Sequence, residues 1–307
     1  MSVSPTSPDV IISKLKAETL AALAKKGVRS DERGLEDFRR LEIVTNYLPK
    51  AEGSALVRLG DTQVLVGVKL ELGSPYPDTP DEGVLVVSAE FVPTASPAFE
   101  PGPPDENAIE LARVIDRVLR EYGVIDTSKL AVIPGRKVWV VWIDIYVLDH
   151  GGNLVDASSI AVLAALLTAK IPQHVLGEGE SIHVDKTVAS GPLPILRKAV
   201  TVTIGKLGDS LIVDPTLEEE SVISSKIIIG VGEDGLIAGL QKTGDGYLTK
   251  QEIEGAVSLA LRKGSELIAK INECLKPREG THVETAEPAT TIQEGLKPLE
   301  GMPDNNA

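Results

Sequence analysis

The chain has 307 residues, 42% of them hydrophobic, enough to bury a sizeable core as one large domain or two smaller ones. Its formal net charge of -14 excludes a general nucleic-acid binder with a broad basic face, so any RNA or DNA contact must come from a local patch or a basic partner. A single cysteine, Cys274, excludes an intrachain disulfide and a thiolate metal site, and fits a reducing compartment.

Aromatics make up only 3% of the chain, so Val, Ile, Leu and Ala carry the core, as in a β-rich α/β protein. Met1 to Pro8 lacks the basic-then-apolar pattern of a signal peptide. No apolar run reaches the ~20 residues that span a bilayer. The expectation is a cytoplasmic chain with no membrane contact.

In chain order, Asp9 to Lys26 is predicted as a helix with Asp9 as N-cap; Ile12, Leu15, Leu20 and Leu23 lie on one face and Gly27 is the stop. A charged segment follows from Arg29 to Arg40. Leu41 to Tyr47, Ser54 to Leu59 and Gln63 to Glu71 alternate like the strands of a meander, with Gly60-Asp61-Thr62 as a turn. After a Pro/Asp-rich connection comes the apolar run Val84 to Val92, then a Pro-rich loop from Pro93 to Pro104. Glu106 to Tyr122 is the clearest amphipathic helix, with Ile109, Leu111, Ala112, Ile115, Val118 and Leu119 at helical spacing. Lys137 to Leu148 is predicted as a strand, Gly151-Gly152-Asn153 as a turn, and Ala157 to Ala169 as a helix apolar nearly all round, hence buried. Pro172 to Pro194 resembles a linker. Four further strands are predicted at Ile195 to Ile204, Leu211 to Asp214, Ser225 to Val231 and Gly235 to Thr243, with a hairpin turn at Glu233-Asp234-Gly235. Thr249 to Leu275 is a long helix opened by a Thr249/Glu252 capping box. Beyond Pro277 the periodicity stops, and the expectation is a disordered acidic tail. The order suggests an N-terminal helix and arm over 1–29, two related α/β halves at 30–171 and 172–275, and the tail at 276–307.

Ile212 to Ile227 draws attention. An apolar strand runs into Asp214-Pro215-Thr216, then Glu218-Glu219-Glu220, then a second β-branched run. A carboxylate knot between strands suits acid or metal chemistry. Six positions after Glu218, however, stands Ser224, which cannot carry a second acid's charge. The four histidines (His150, His174, His183 and His282) show no ligand spacing, so no metal site is expected.

Four segments together resemble the RNase PH family. Gly27 to Gly34 with Asp37-Phe38-Arg39 is similar to its Arg-x-Asp-Gly-Arg…Phe-Arg opening, with Glu32 where the family has Gly; read alone, this run is a solvated salt-bridged segment. Gly53-Ser54…Gly60-Asp61-Thr62-Gln63-Val64 resembles its meander, Arg113, Arg117 and Arg120 match the spacing of its basic helix, and Asp149 to Ser158 sits where it carries an Asp-Gly-Gly-Thr-Arg loop. The resemblance implies an α/β, RNase PH-like (ribosomal S5 domain 2-like) fold of two βα halves with an N-terminal helix.

Within the family, Asp214-Pro215-Thr216-x-Glu218-Glu219 is similar to the branch of non-catalytic RNase PH-like subunits of the archaeal exosome. The loop's phosphate-binding Thr-Arg is Asn153-Leu154 here, Asp156 would repel phosphate, and the second acid of the pair opened by Glu218 is Ser224. The resemblance therefore implies no catalytic residue and no cofactor in this chain. The implied partners are a catalytic RNase PH-like subunit alternating with it in a hexameric ring, RNA-binding cap subunits and single-stranded RNA. The ring would degrade RNA from the 3′ end with phosphate, and this chain would shape the partner's site. Arg113 and Arg117, at i and i+4, share one helix face and would grip RNA phosphates, with Arg120 beside them and Arg136-Lys137 a lesser candidate. The alternatives are a self-sufficient phosphate-dependent exoribonuclease, a purely structural ring subunit, and least of all a metal hydrolase built on Glu218 to Glu220.

Overall fold

The computed structural model describes residues 14–177 and 182–275. The predicted acidic tail lies outside them, as does the proposed Asp9 cap. Helix α1 (Lys14–Lys25) buries Leu20 and Ala24 against Leu207 and Ile212, and Gly27 leaves it at φ +80°.

The first sheet contains β1 (Leu41–Thr45), β2 (Gly53–Leu59), β3 (Thr62–Gly73), β4 (Val84–Phe91), β5 (Ala131–Ile133) and β6 (Lys137–Asp149). Its order is β1-β2-β3-β6-β4, with β5 pairing the start of β6. All pairs are antiparallel except β4 with β6. That parallel pair needs a crossover, and α2 (Glu106–Tyr122) lies within it. Helix α2 has the bounds its periodicity predicts, because both ends are specified: the Asp105 side chain accepts from Ala108 N, and Gly123 closes the helix at φ +69°. The sheet's alternation shows that one face is covered. Val64, Val66, Val68, Val141, Ile143 and Ile145 are inaccessible, while Gln63, Leu65, Trp142 and Tyr146 face outward.

Helix α3 (Leu154–Thr168) starts three residues earlier than predicted. It packs on β2 and β3 on one side and on β9 (Ala199–Leu207) on the other, so its all-round apolar surface is matched by all-round burial. The second sheet joins β9 with β10 (Ser210–Val213), β11 (Ser225–Gly232) and β12 (Ile237–Thr243) in the antiparallel order β10-β9-β11-β12. Strand β9 begins four residues later than predicted. A one-turn helix α4 (Leu217–Glu220), closed by a Thr216/Glu219 capping box, joins β10 to β11. Helix α5 (Lys250–Cys274) opens with the predicted Thr249/Glu252 box.

The expected linker at Pro172 to Pro194 is instead a hairpin of β7 (Lys170–Leu176) and β8 (Ile182–Pro192). Most of β8 is exposed, so no buried face imposed the period-2 pattern that marks a strand. No described helix is long and apolar enough to cross a membrane.

Alternate residues of β11 meet helices on opposite faces of the second sheet. Gly230 lies against Val118 of α2, and Val231 lies against Gly264 in the middle of α5. A Cβ at Gly264 would come within 2.6 Å of Val231 Cβ. Helix propensity alone would make Gly264→Ala stabilising by about 1 kcal/mol. The expected outcome is the reverse, a lower urea midpoint, because the close approach leaves no room for a methyl group.

Candidate functional site

The charged segment after α1 is solvated only in part: Asp31, Glu32, Glu36, Asp37 and Arg40 are exposed, whereas Arg29 and Arg39 are buried. Arg29 is 3% exposed and threads beneath α4. Its Nε donates to Glu219 Oε1 at 2.8 Å and its Nη2 to Glu219 Oε2, while Nη1 and Nη2 donate to the carbonyls of Val213 (2.6 Å) and Asp214 (2.8 Å). Arg39 grips Asp214 through a fork, Nε to Oδ2 at 2.9 Å and Nη2 to Oδ1 at 2.8 Å, and its backbone N–H adds a third bond to Oδ2. The remaining Arg39 donors hold the carbonyls of Gly151 (2.9 Å) and Gly152 (3.1 Å). Arg33 reaches Asp214 Oδ2 from the partly exposed side at 3.2 Å. Burial alone would raise the Asp214 carboxyl, but the hydrogen bonds and charge of Arg39 hold it below its ordinary value. The motif that suggested an RNA-enzyme signature is thus an internal clasp, and Arg29 and Arg39 have no exposed fork to offer a phosphate.

The glycine loop hangs from this clasp. Gly152 has φ +97°, and a Cβ there would come within 2.5 Å of Thr216 C. Leu217 N donates to Gly151 O at 3.0 Å, fastening the loop to α4. Asn153, also left-handed at φ +51°, donates through Nδ2 to both Asp214 Oδ1 and Asp156 Oδ2 at 2.8 Å. Asp156 does not face the loop as a repulsive charge. It points inward from α3, fully buried, and accepts from Thr201 Oγ1, Thr203 N and Thr203 Oγ1 of β9 at 2.8–2.9 Å. Burial pushes its carboxyl up to about 7 against those hydrogen bonds.

Above the clasp opens a cleft of about 460 Å³ between the first half of α2, the 150–155 loop and the β11–β12 pair. Leu154, at the position expected to carry a phosphate-binding guanidinium, lines it together with Val155, while Asn153, at the expected hydroxyl position, is turned inward to Asp214 and Asp156. The carboxylate register differs from the sequence expectation by two residues. Glu218 and Ser224 are both exposed and do not line the cleft. Glu220 and Lys226 do, and they keep the same interval of six. The capping box causes this shift: it turns Glu219 inward to Arg29 and leaves Glu220 toward the cleft. Lys226 Nζ lies 2.8 Å from Glu220 Oε1, so an ion pair stands where two acids were sought. Among the described residues no group of three or more His, Cys, Asp and Glu is placed to hold a metal.

The three arginines of α2 divide. Arg113 is exposed and makes no hydrogen bond or ion pair among the described residues. Arg117 is exposed, with one Nη1 bond to Gln241 Oε1 at 3.1 Å; Gln241 in turn donates to Glu110 of the cleft wall at 2.6 Å. Arg120 is tied to both Asp116 oxygens and to the Leu85 carbonyl, and the Asp116 bond holds its guanidinium above the ordinary value.

Two outcomes follow for the buried groups. Arg39→Met leaves buried Asp214 with only the longer Arg33 contact as counter-charge and should cost about 3 kcal/mol in denaturant unfolding. Asp156 keeps its proton to about pH 7 when folded but only to about pH 4 when unfolded. Its contribution to stability is complete below about pH 4 and is lost as pH rises through about 7. The unfolding midpoint of the wild type should therefore fall relative to that of Asp156→Asn between pH 5 and 8. His150, whose pKa burial lowers, acts in the opposite sense but cancels in that difference.

The sequence matches the 3′ exoribonuclease family, domain 1 (RNase PH), over residues 37–172 and domain 2 of the same family over residues 199–263. It is 48% identical to the exosome complex component Rrp42 of Sulfurisphaera tokodaii over 89% of this chain and 98% of that one. It is 47% identical to the component of the same name from Aeropyrum pernix over 89% and 97%. A solved structure of the Archaeoglobus fulgidus exosome with RNA bound to the active site superposes with a TM-score of 0.75 at 42% identity, over 83% of this chain and 97% of that one. An archaeal exosome core superposes at 0.72 with 39% identity, over 84% and 96%. With these matches spanning both sheets, the chain belongs to the RNase PH family of 3′ exoribonucleases, in the branch of archaeal exosome components.

Proposed function

We propose that this chain is a non-catalytic subunit of an archaeal-type exosome, built from RNase PH-like halves at 30–171 and 172–275. In this reading it alternates with a catalytic RNase PH-like subunit in a cytoplasmic hexameric ring that carries RNA-binding caps. The ring degrades single-stranded RNA from the 3′ end with phosphate. One observation carries the reading: the Glu220–Lys226 ion pair, with Leu154 beside it, occupies the cleft. Phosphorolysis needs an oxyanion cradle and a group that assists the leaving oxygen. A carboxylate neutralised by its own lysine, next to an apolar side chain, supplies neither.

The RNA contact is assigned to α2. Arg113 and Arg117 keep donors free on an exposed face, and an arginine fork meets a phosphate bidentately. Arg120 commits Nε and Nη2 to Asp116 and Leu85, so its share is smaller.

Purified chain alone, given single-stranded RNA and phosphate, should release no nucleoside diphosphate; turnover would establish a self-sufficient enzyme. Arg113→Ala with Arg117→Ala should weaken RNA binding by the assembled ring. The slope of log affinity against log salt should become shallower by about 1.4, at about 0.7 per lost contact to a single strand. An unchanged affinity and slope would reduce the chain to a purely structural ring member.

A further inference from the structure

We propose that the cleft above the clasp is a binding site for one nucleobase of single-stranded RNA, received ring first with its phosphates left outside. The proposal rests on the reading of α2 as an RNA contact and adds what that reading lacks, a pocket for the base.

Four features of the cleft agree on this ligand. First, its volume of about 460 Å³ suits a small organic group. Second, one wall is a continuous aromatic surface. The Phe91 and Phe99 rings lie 4.7 Å apart between centroids, and Phe99 stacks on His150 at 5.5 Å with 14° between planes. Gly152 N donates to His150 Nδ1, which fixes the imidazole plane, and bases stack on such faces whatever their sequence.

Third, the opposite side offers a polar edge. Glu220 Oε1 and Lys226 Nζ place an acceptor and a donor side by side, the pairing that a base's hydrogen-bonding edge presents in reverse. Thr243 Oγ1, on the same lining, is buried without a hydrogen-bond partner among the described residues, and buried polar atoms of this kind are normally satisfied. Fourth, the cleft rejects phosphate. Glu110 and Glu220 outnumber Lys226, and Leu154 covers the side where α3 begins.

The phosphates then have a place of their own. Gln241 donates to Glu110 of the cleft wall and accepts from Arg117, so the arginine face adjoins the mouth. A strand held by Arg113 and Arg117 would pass the opening and could lodge one base in it.

The test is saturation-transfer NMR on the full purified chain with adenosine and cytidine, with inorganic phosphate and ribose 5-phosphate as competitors. Saturation should reach the base protons more strongly than the ribose protons, and neither competitor should displace the nucleoside. His150→Ala should weaken nucleoside binding at least about fivefold, the lower bound for one lost base stack. Leu154→Trp fills the cleft from the other side and should abolish the transfer, so the conclusion does not depend on one variant's folding. Absence of transfer in the wild type, displacement by phosphate, or binding unchanged in both variants would overturn the proposal. The RNA-contact reading fails separately, on the salt dependence of the Arg113/Arg117 variant: nucleoside binding with an unchanged salt slope would uphold the pocket and discard the arginine path.

Discussion

Arg39 and Asp214 are 175 positions apart in sequence, and three loops of this protein are arranged around their contact. The forked guanidinium takes both carboxylate oxygens and then two carbonyls of the glycine loop. The Asp214 backbone, left-handed at φ +50°, turns the chain from β10 into α4. Arg29 repeats the arrangement one layer away with Glu219. A buried ion pair is not by itself a large source of stability, since desolvation offsets much of the attraction. Here its value is geometric. The forked bonds of Arg39 tie the arm after α1, the 150–153 loop and α4 to one arrangement, and Asn153 Oδ1 is left buried there without a partner among the described residues. His150, Leu154 and Glu220, which define the cleft, are all carried on elements fixed at that junction.

The polar edge of the cleft is an ion pair set by the acidic turn. The same capping box that points Glu219 at Arg29 presents Glu220 to the open side. Lys226, at the first turn of the next strand's pairing, reaches across to it. Lys226 compensates the charge of Glu220, so that carboxylate does not stand alone at the cleft. The arginines of α2 are placed independently of this pair, by helix periodicity.

What could be read from the sequence followed the physics of each segment. Glu106 to Tyr122 was fully specified locally, by its apolar stripe, its Asp105 cap and its Gly123 stop. The burial of α3 was legible because no polar stripe interrupts it. The β7–β8 hairpin was not, because strands exposed on both faces leave no periodic trace. The clasp was hidden for another reason. Asp31 and Asp37 stand beside the arginines in sequence and suggested local pairing, and Arg33 does pair with Asp31. The partners of Arg29 and Arg39 lie in the second half of the chain, beyond any local pattern. The register of the acidic turn was missed by two positions because its orientation depends on a capping box within that same hidden junction.

The all-round burial of α3 also bears on how the chain is made. One side of the helix is covered by strands that precede it, but the other waits for β9 and for β11, which pairs along β9. About 60 residues separate the end of α3 at Thr168 from the end of β11 at Gly232. At about 5–20 residues per second a ribosome takes roughly 3–12 s to supply them. During that interval a nascent chain carries an uncovered apolar helix surface with the buried Asp156 still open to water. Release from the ribosome before β11 has emerged would free a species suited to aggregation rather than to assembly. The codons between the two sheets are therefore where translation speed would bear most directly on the yield of folded subunit.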